Sequence, residues 1–170
     1  MTPTIEKLLR IQDYDSRILK LQRELKDIPS RKKEIDFRAE TDRAASSQAK
    51  DALKTKQAGI REIEVEIESN KAHIRKLREQ QIQLKSNKEF KAMEQEVANI
   101  QKEIRGLEEK AIAIMEHVEQ FQVEFRSLDK KAGENEAVMK SDAQALDKRG
   151  EAIQGEIDQL TQKRNAIAGE

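Results

Sequence analysis

Leu84-Lys85-Ser86-Asn87-Lys88-Glu89-Phe90-Lys91-Ala92-Met93 lies at the midpoint of a 170-residue chain, between two seven-residue hydrophobic repeats. The first repeat runs Ile11, Tyr14, Ile18, Leu21, Leu25, Ile28 and keeps its phase through Ile60, Ile63, Ile67, Ile74, Leu77 and Leu84. The second runs Phe90, Met93, Val97, Ile100, Ile104, Leu107, Ala111, Ile114, Val118, Phe121, Phe125, Leu128. Apolar residues recurring every 3.5 positions form a single seam along a helix, and such a seam is buried against another helix. Leu84 to Met93 spans nine residues, where a heptad requires seven and a stammer or stutter ten or eleven. A straight helix through this segment would rotate its seam away from the partner. A chain reversal accounts for the break. Ser86 and Glu89 add the spacing of a capping box, the signature of a new helix start.

The pattern predicts an all-α fold, a long antiparallel two-helix coiled-coil hairpin. A single domain over 1–170 is expected, with arm one 3–84, tip 85–89 and arm two 90–168. Thr2 reads as an N-cap and Pro3 as the first helical residue. Each arm would be ~120 Å long. The alternative is a straight parallel dimer of ~250 Å. Folding back near Asn87 places Ala44, Ala45, Ser46, Ser47 and Ala49 opposite Phe121, Phe125 and Leu128, small against large. The parallel dimer would stack like on like. Pro29 removes a backbone donor inside arm one. The phase is the same on both sides of it, so the hairpin is expected to be kinked near Pro29. Asn70 and Asn135 fall at d positions, where an amide fixes register. The second repeat weakens beyond Ala132, continuing at Met139, Leu146, Ile153, Leu160 and Ile167. Its d positions there become Asn135, Asp142, Arg149, Glu156 and Lys163, and Gly133, Gly150 and Gly155 intervene. This predicts an open end looser than the tip half.

Composition excludes several classes of function. Charged residues make up 39% of the chain and aromatics 3%, too few large apolar groups for a thick globular core. The heptads oppose disorder, the other reading of such polarity. Acids and bases balance at 33 each, so no global field draws the chain to nucleic acid or membrane. There is no cysteine, hence no disulfide or thiolate nucleophile. No secretory signal and no membrane-length apolar run is present, and a cytoplasmic location is the expectation. Glycine-rich phosphate loops, HExxH and nucleophile motifs are absent, and two long helices enclose no desolvated pocket. An enzyme is not expected.

Two surfaces remain as candidate sites. The tip carries Lys71, Arg75, Lys76, Arg78, Lys85, Lys88 and Lys91 against Glu79 and Glu89, a local net of +5. Residues 92–124 carry eight acids against three bases, a net of −5. Pairing across the hairpin is the structural reading of these charges; a docking surface for phosphate or an acidic protein is the functional one. At the open end, Ile5, Leu8, Leu9 and Leu19 lie off the seam, with Ile157 expected nearby on the returning arm. They form a second stripe, read either as a wider core or as a dock for a partner or a second copy. Weak self-association is expected through this stripe and not through the charged tip. His73 and His117 have no second ligand at metal spacing and are expected on the surface.

Three segments together resemble the bacterial zinc-ribbon coiled-coil family. These are the opening Ile5–Asp15 stretch, the proline break Ile28-Pro29-Ser30-Arg31, and the midpoint set Asn87, Glu89, Phe90, Ala92, Met93 and Glu96. The resemblance implies a kinked helical hairpin capped by a C-terminal zinc ribbon with two CxxC pairs. It also implies a flagellar or secretion-associated regulator that binds the nitrogen-type alternative sigma factor, secretion components or RNA. This sequence ends at Gly169-Glu170 without a cysteine, so the ribbon is expected to be truncated or lost. Zinc is expected only in that ribbon, and no cofactor in these residues. The function expected is a non-enzymatic adaptor or regulator that binds protein partners along the hairpin. The alternatives are a nucleic-acid-binding module using the basic tip, for which the signal is weak, and a structural spacer.

Overall fold

The computed structural model describes residues 3–169, which form two antiparallel helices, α1 (Pro3–Ile82) and α2 (Asn87–Ala168). The hairpin of the sequence reading is therefore the fold. Thr2, read as an N-cap, lies outside the described residues; Pro3 is the first residue of α1. The turn occupies 83–86. The Ser86 carbonyl accepts the Phe90 N–H at 3.1 Å, the first bond of α2, so Ser86 holds the N-cap position. The second helix thus starts at Asn87, before the first apolar repeat position at Phe90, as a cap at Ser86 requires. Helix α1 passes through Pro29 without interruption, so no loop breaks it there.

The chain divides into two compact units, one combining 1–44 with 130–170 and the other comprising 45–129. In the 45–129 unit the seam is continuous. Ile67, Leu77, Val97, Ile100 and Ile104 form a buried cluster, with Ile63, Ile74, Met93 and Leu107 packed against it. These are the predicted a and d residues. Ser46 is buried and its hydroxyl donates to Asp129 Oδ1 at 3.1 Å, which seats the small-residue stretch beside Leu128. Phe121 lies nearer the tip than that stretch, with Lys56 Nζ 6.0 Å from its ring centroid.

The unit of 1–44 and 130–170 corrects one reading. Its core is Ile28, Ile153 and Ile157, joined by Ile18, Leu21, Leu25 and Leu146. Ile153 is fully buried and Ile157 is 7% exposed. Asp142, Arg149, Glu156 and Lys163, placed at d positions by extrapolation, are all exposed. The inward residues of α2 are Ala132, Asn135, Met139, Ala143, Leu146, Gly150, Ile153 and Ile157. The spacing across Ala132–Leu146 is therefore 3, 4, 4, 3. Two successive four-residue steps are a stutter, which locally unwinds the supercoil and advances the seam by one residue. Of the polar d layer that predicted a loose end, only Asn135 lies on the seam.

Cross-helix polar contacts fix the register of this unit. Asn135 Nδ2 donates to Asp42 Oδ2 at 3.1 Å, giving the d-position amide a partner on the facing helix. Arg43 pairs with Glu136, Lys32 with Asp147 at 2.5 Å and Arg164 with Asp15 at 2.8 Å. Arg149 grips Glu24 with two parallel bonds of 3.0 and 3.2 Å. That clamp holds the Glu24 carboxyl below its ordinary value of 4.5 and raises the Arg149 guanidinium. Lys32 with Asp147 and Arg43 with Glu136 lie five residues beyond the simple fold-back about Asn87; Arg149 with Glu24 lies one residue short of it.

Candidate functional site

The basic tip is built by the last three turns or so of α1, the 83–86 turn and the first turns of α2. Gln81 is its internal anchor, only 5% exposed. Its amide donates to Glu94 Oε1 at 2.8 Å and to the Phe90 carbonyl at 3.4 Å. Arg78 also binds Glu94, and donates to Gln81 Oε1 at 3.0 Å. The Gln81 amide, then the Arg78 guanidinium, hold the Glu94 carboxyl below its ordinary 4.5. A buried amide with both ends bonded specifies geometry more than it adds stability. Arg78 is therefore part of the hairpin's closure. Lys71 contacts Glu68 at 3.6 Å, one turn away on the same helix. Arg75, Lys76, Lys85, Lys88 and Lys91 are exposed, and among the described residues they form no ion pair. Ile82 at the apex is 85% exposed and Phe90 42%.

At the other end, Ile5, Leu8, Leu9 and Leu19 are 46–60% exposed. Along α1 the seam residues are Ile11, Tyr14, Ile18 and Leu21. At 100° per residue the isoleucine and three leucines lie off that seam, Ile5 and Leu9 on the opposite side of the helix and Leu8 and Leu19 on its flank. Helix α2 cannot cover them. Ile157 does not belong with them: the stutter turns it into the core, where it packs with Ile28 and Ile153. The open-end stripe is thus a feature of α1 alone.

His73 and His117 are both exposed. Among the described residues no group of three or more His, Cys, Asp or Glu is arranged to hold a metal ion. No helix among them is long and apolar enough to cross a membrane. The concavities are open grooves along helix flanks; one is lined by Glu119, Gln120, Val123, Glu124, Ser127 and Leu128. The sequence reading missed the outer flank of α2, where Ile112 is 57% and Val123 67% exposed. Sorting residues 88–123 by heptad position would have shown it; counting net charge over all faces hid it.

The arrangement matches known proteins. A solved structure of CT398 from Chlamydia trachomatis superposes with a TM-score of 0.81 at 22% sequence identity, covering 96% of this chain and 70% of that one. At that identity the likeness speaks to the fold. No curated protein matches the chain. The family model of the CT398-like coiled coil hairpin domain matches residues 11–170, nearly the whole of both helices, and the chain belongs to that family.

Proposed function

We propose that this chain is a non-enzymatic adaptor that presents helical surfaces to protein partners. The observation that carries the reading is the exposed apolar stripe Ile5, Leu8, Leu9 and Leu19, which runs off the seam from the flank of α1 to its far side. Scattered exposed apolar residues need no explanation, but four at helical spacing on one side form a patch. An amphipathic helix or an apolar groove on a partner would cover it, and each buried side chain would contribute roughly 1.5–3 kcal/mol. The opening and midpoint motifs, through their resemblance to the zinc-ribbon coiled-coil family, support a regulatory role in transcription, through an alternative sigma factor, or in secretion or flagellar assembly. A cytoplasmic site of action follows from that role. Zinc in this reading belongs to a ribbon outside these residues.

A second reading is supported by the exposed lysines of the tip, which would let it bind nucleic acid. Titration of generic RNA and duplex DNA against salt separates the two. The adaptor reading predicts weak, non-saturating binding at physiological salt. Tight binding with a steep salt slope, lost in Lys85→Glu with Lys88→Glu, would move the function to the tip.

A further inference from the structure

The outer face of α2, opposite its seam, follows its own three–four alternation from Lys88 to Val123. Its first half carries Lys88, Lys91, Lys102 and Arg105 and no acid. Gln95 and Ala98 fill the other two places. Its second half carries Glu109, Glu116 and Glu119 and no base, with Ile112 and Val123 between them. All are exposed. Among the described residues none of these seven charges has an ion-pair partner within the chain. Other charges of this stretch point elsewhere on the helix. The face thus holds one sign, then the other, over about 50 Å of helix.

A sequence of charges that reverses at its centre is complementary to itself when a copy is turned end for end. We propose that a second copy of this chain docks antiparallel on this face of α2, with a two-fold axis near Arg105 and Gly106. In that register Lys102 meets Glu109 of the other copy, and Lys91 meets Glu119. Gln95 meets Glu116, and the small Ala98 comes beside the bulky Ile112. The alkyl stem of Lys88 reaches Val123, whose open groove with Glu119 and Gln120 receives it. Gly106 sits at the axis, where a Cβ would have nothing within 4 Å inside the chain, so a second helix has room to approach. Every contact except that of Arg105 with its own copy on the axis, which the long side chains avoid by splaying apart, occurs twice, and the interface uses itself up, so assembly stops at two copies. A parallel arrangement would set lysine on lysine and glutamate on glutamate. Exposed ion pairs are individually weak, so the dimer is a weak, salt-sensitive one. The interface is separate from the open-end stripe and independent of the adaptor reading. It also departs from the expectation that self-association avoids the charged half of the hairpin.

Sedimentation equilibrium of the full chain at low salt tests this. The wild type should dimerise, and association should fall as salt rises. Lys91→Glu with Lys102→Glu should weaken it at least about tenfold, since four ion pairs become four repulsions. Glu109→Lys with Glu119→Lys should do the same. Mixing the two variants should restore association, because every reversed charge then meets its opposite. Circular dichroism should show equal helicity throughout. A monomeric wild type at high concentration, or failure of the mixture to associate, would overturn the proposal. So would association that survives both charge reversals and disappears only in Leu8→Lys with Leu19→Lys.

Discussion

Gly150 lies against Ile28: a Cβ on Gly150 would stand 3.5 Å from Ile28 Cδ1 and 3.8 Å from Leu25 Cδ1. Both distances are ordinary van der Waals contact. The glycine is therefore on the seam, opposite two large residues, without a backbone conformation that demands it. Gly150→Ala should stabilise the hairpin by up to about 1 kcal/mol, the helix-propensity difference. Gly150→Leu should destabilise it by about 1–3 kcal/mol through overpacking. Thermal denaturation followed by circular dichroism would decide; equal destabilisation by both would show that Gly150 is held by something other than space.

The stutter makes a sharper claim about neighbouring residues. Ile153→Ala removes the most buried side chain of its unit and should cost about 2–5 kcal/mol. Glu156→Ala should change stability by no more than about 0.5 kcal/mol, as an exposed substitution does. An unbroken heptad would put Glu156 on the seam, and its removal would then matter more.

How far the fold could be read from sequence follows from the same residues. In the first repeat the alternation never slips, so Ile11 through Leu84 are assigned by counting. At the midpoint the nine-residue interval and Ser86 both mark a reversal. In distal α2 the residues Leu146, Ile153, Leu160 and Ile167 are seven apart and serve either phase equally. The choice lay with their companions: Asp142, Arg149, Glu156 and Lys163 in one phase, or Ala143, Gly150, Ile157 and Arg164 in the other. Ala143 and Gly150 carry little hydrophobic signal, so Ile157 is the sole strong pointer, and the unbroken heptad assigns it to the off-seam stripe instead. The candidate surfaces were less legible. Exposure of Ile5, Leu8, Leu9 and Leu19 follows from helical phase, whereas the engagement of Arg78 by Glu94 needs the geometry of the turn.

Acid should loosen the hairpin through identifiable groups. The carboxyls of Glu24 and Glu94 are held below 4.5 by Arg149 and by Gln81 with Arg78. A carboxyl lowered in the folded state adds stability that is complete above its unfolded value and disappears as pH falls through its folded value. Stability should therefore decline below about pH 4.5. Glu24→Gln with Glu94→Gln should lower stability at neutral pH and flatten the acid slope. Denaturant melts from pH 3 to 7 would show it; an unchanged slope would mean that these pairs do not couple to folding.

Both arms of the hairpin should come from one molecule, even within a dimer. Spin labels at Arg43→Cys and Glu136→Cys replace a cross-helix ion pair, with helix axes about 10 Å apart. Their short separation should persist when the doubly labelled chain is refolded with a large excess of unlabelled chain. Loss of the short distance on dilution would indicate helices exchanged between chains.

The central claim is that the off-seam apolar stripe of α1 holds a protein partner. Its most direct test is a photo-crosslinking residue placed at Leu9, with a second chain labelled at Lys88 as comparison. In cells, the Leu9 probe should yield one discrete protein adduct that resists nuclease, and Leu8→Lys with Leu19→Lys should abolish it. A Leu9 probe that captures nothing, while the Lys88 probe gives nuclease-sensitive adducts, would contradict the account and assign the function to the tip.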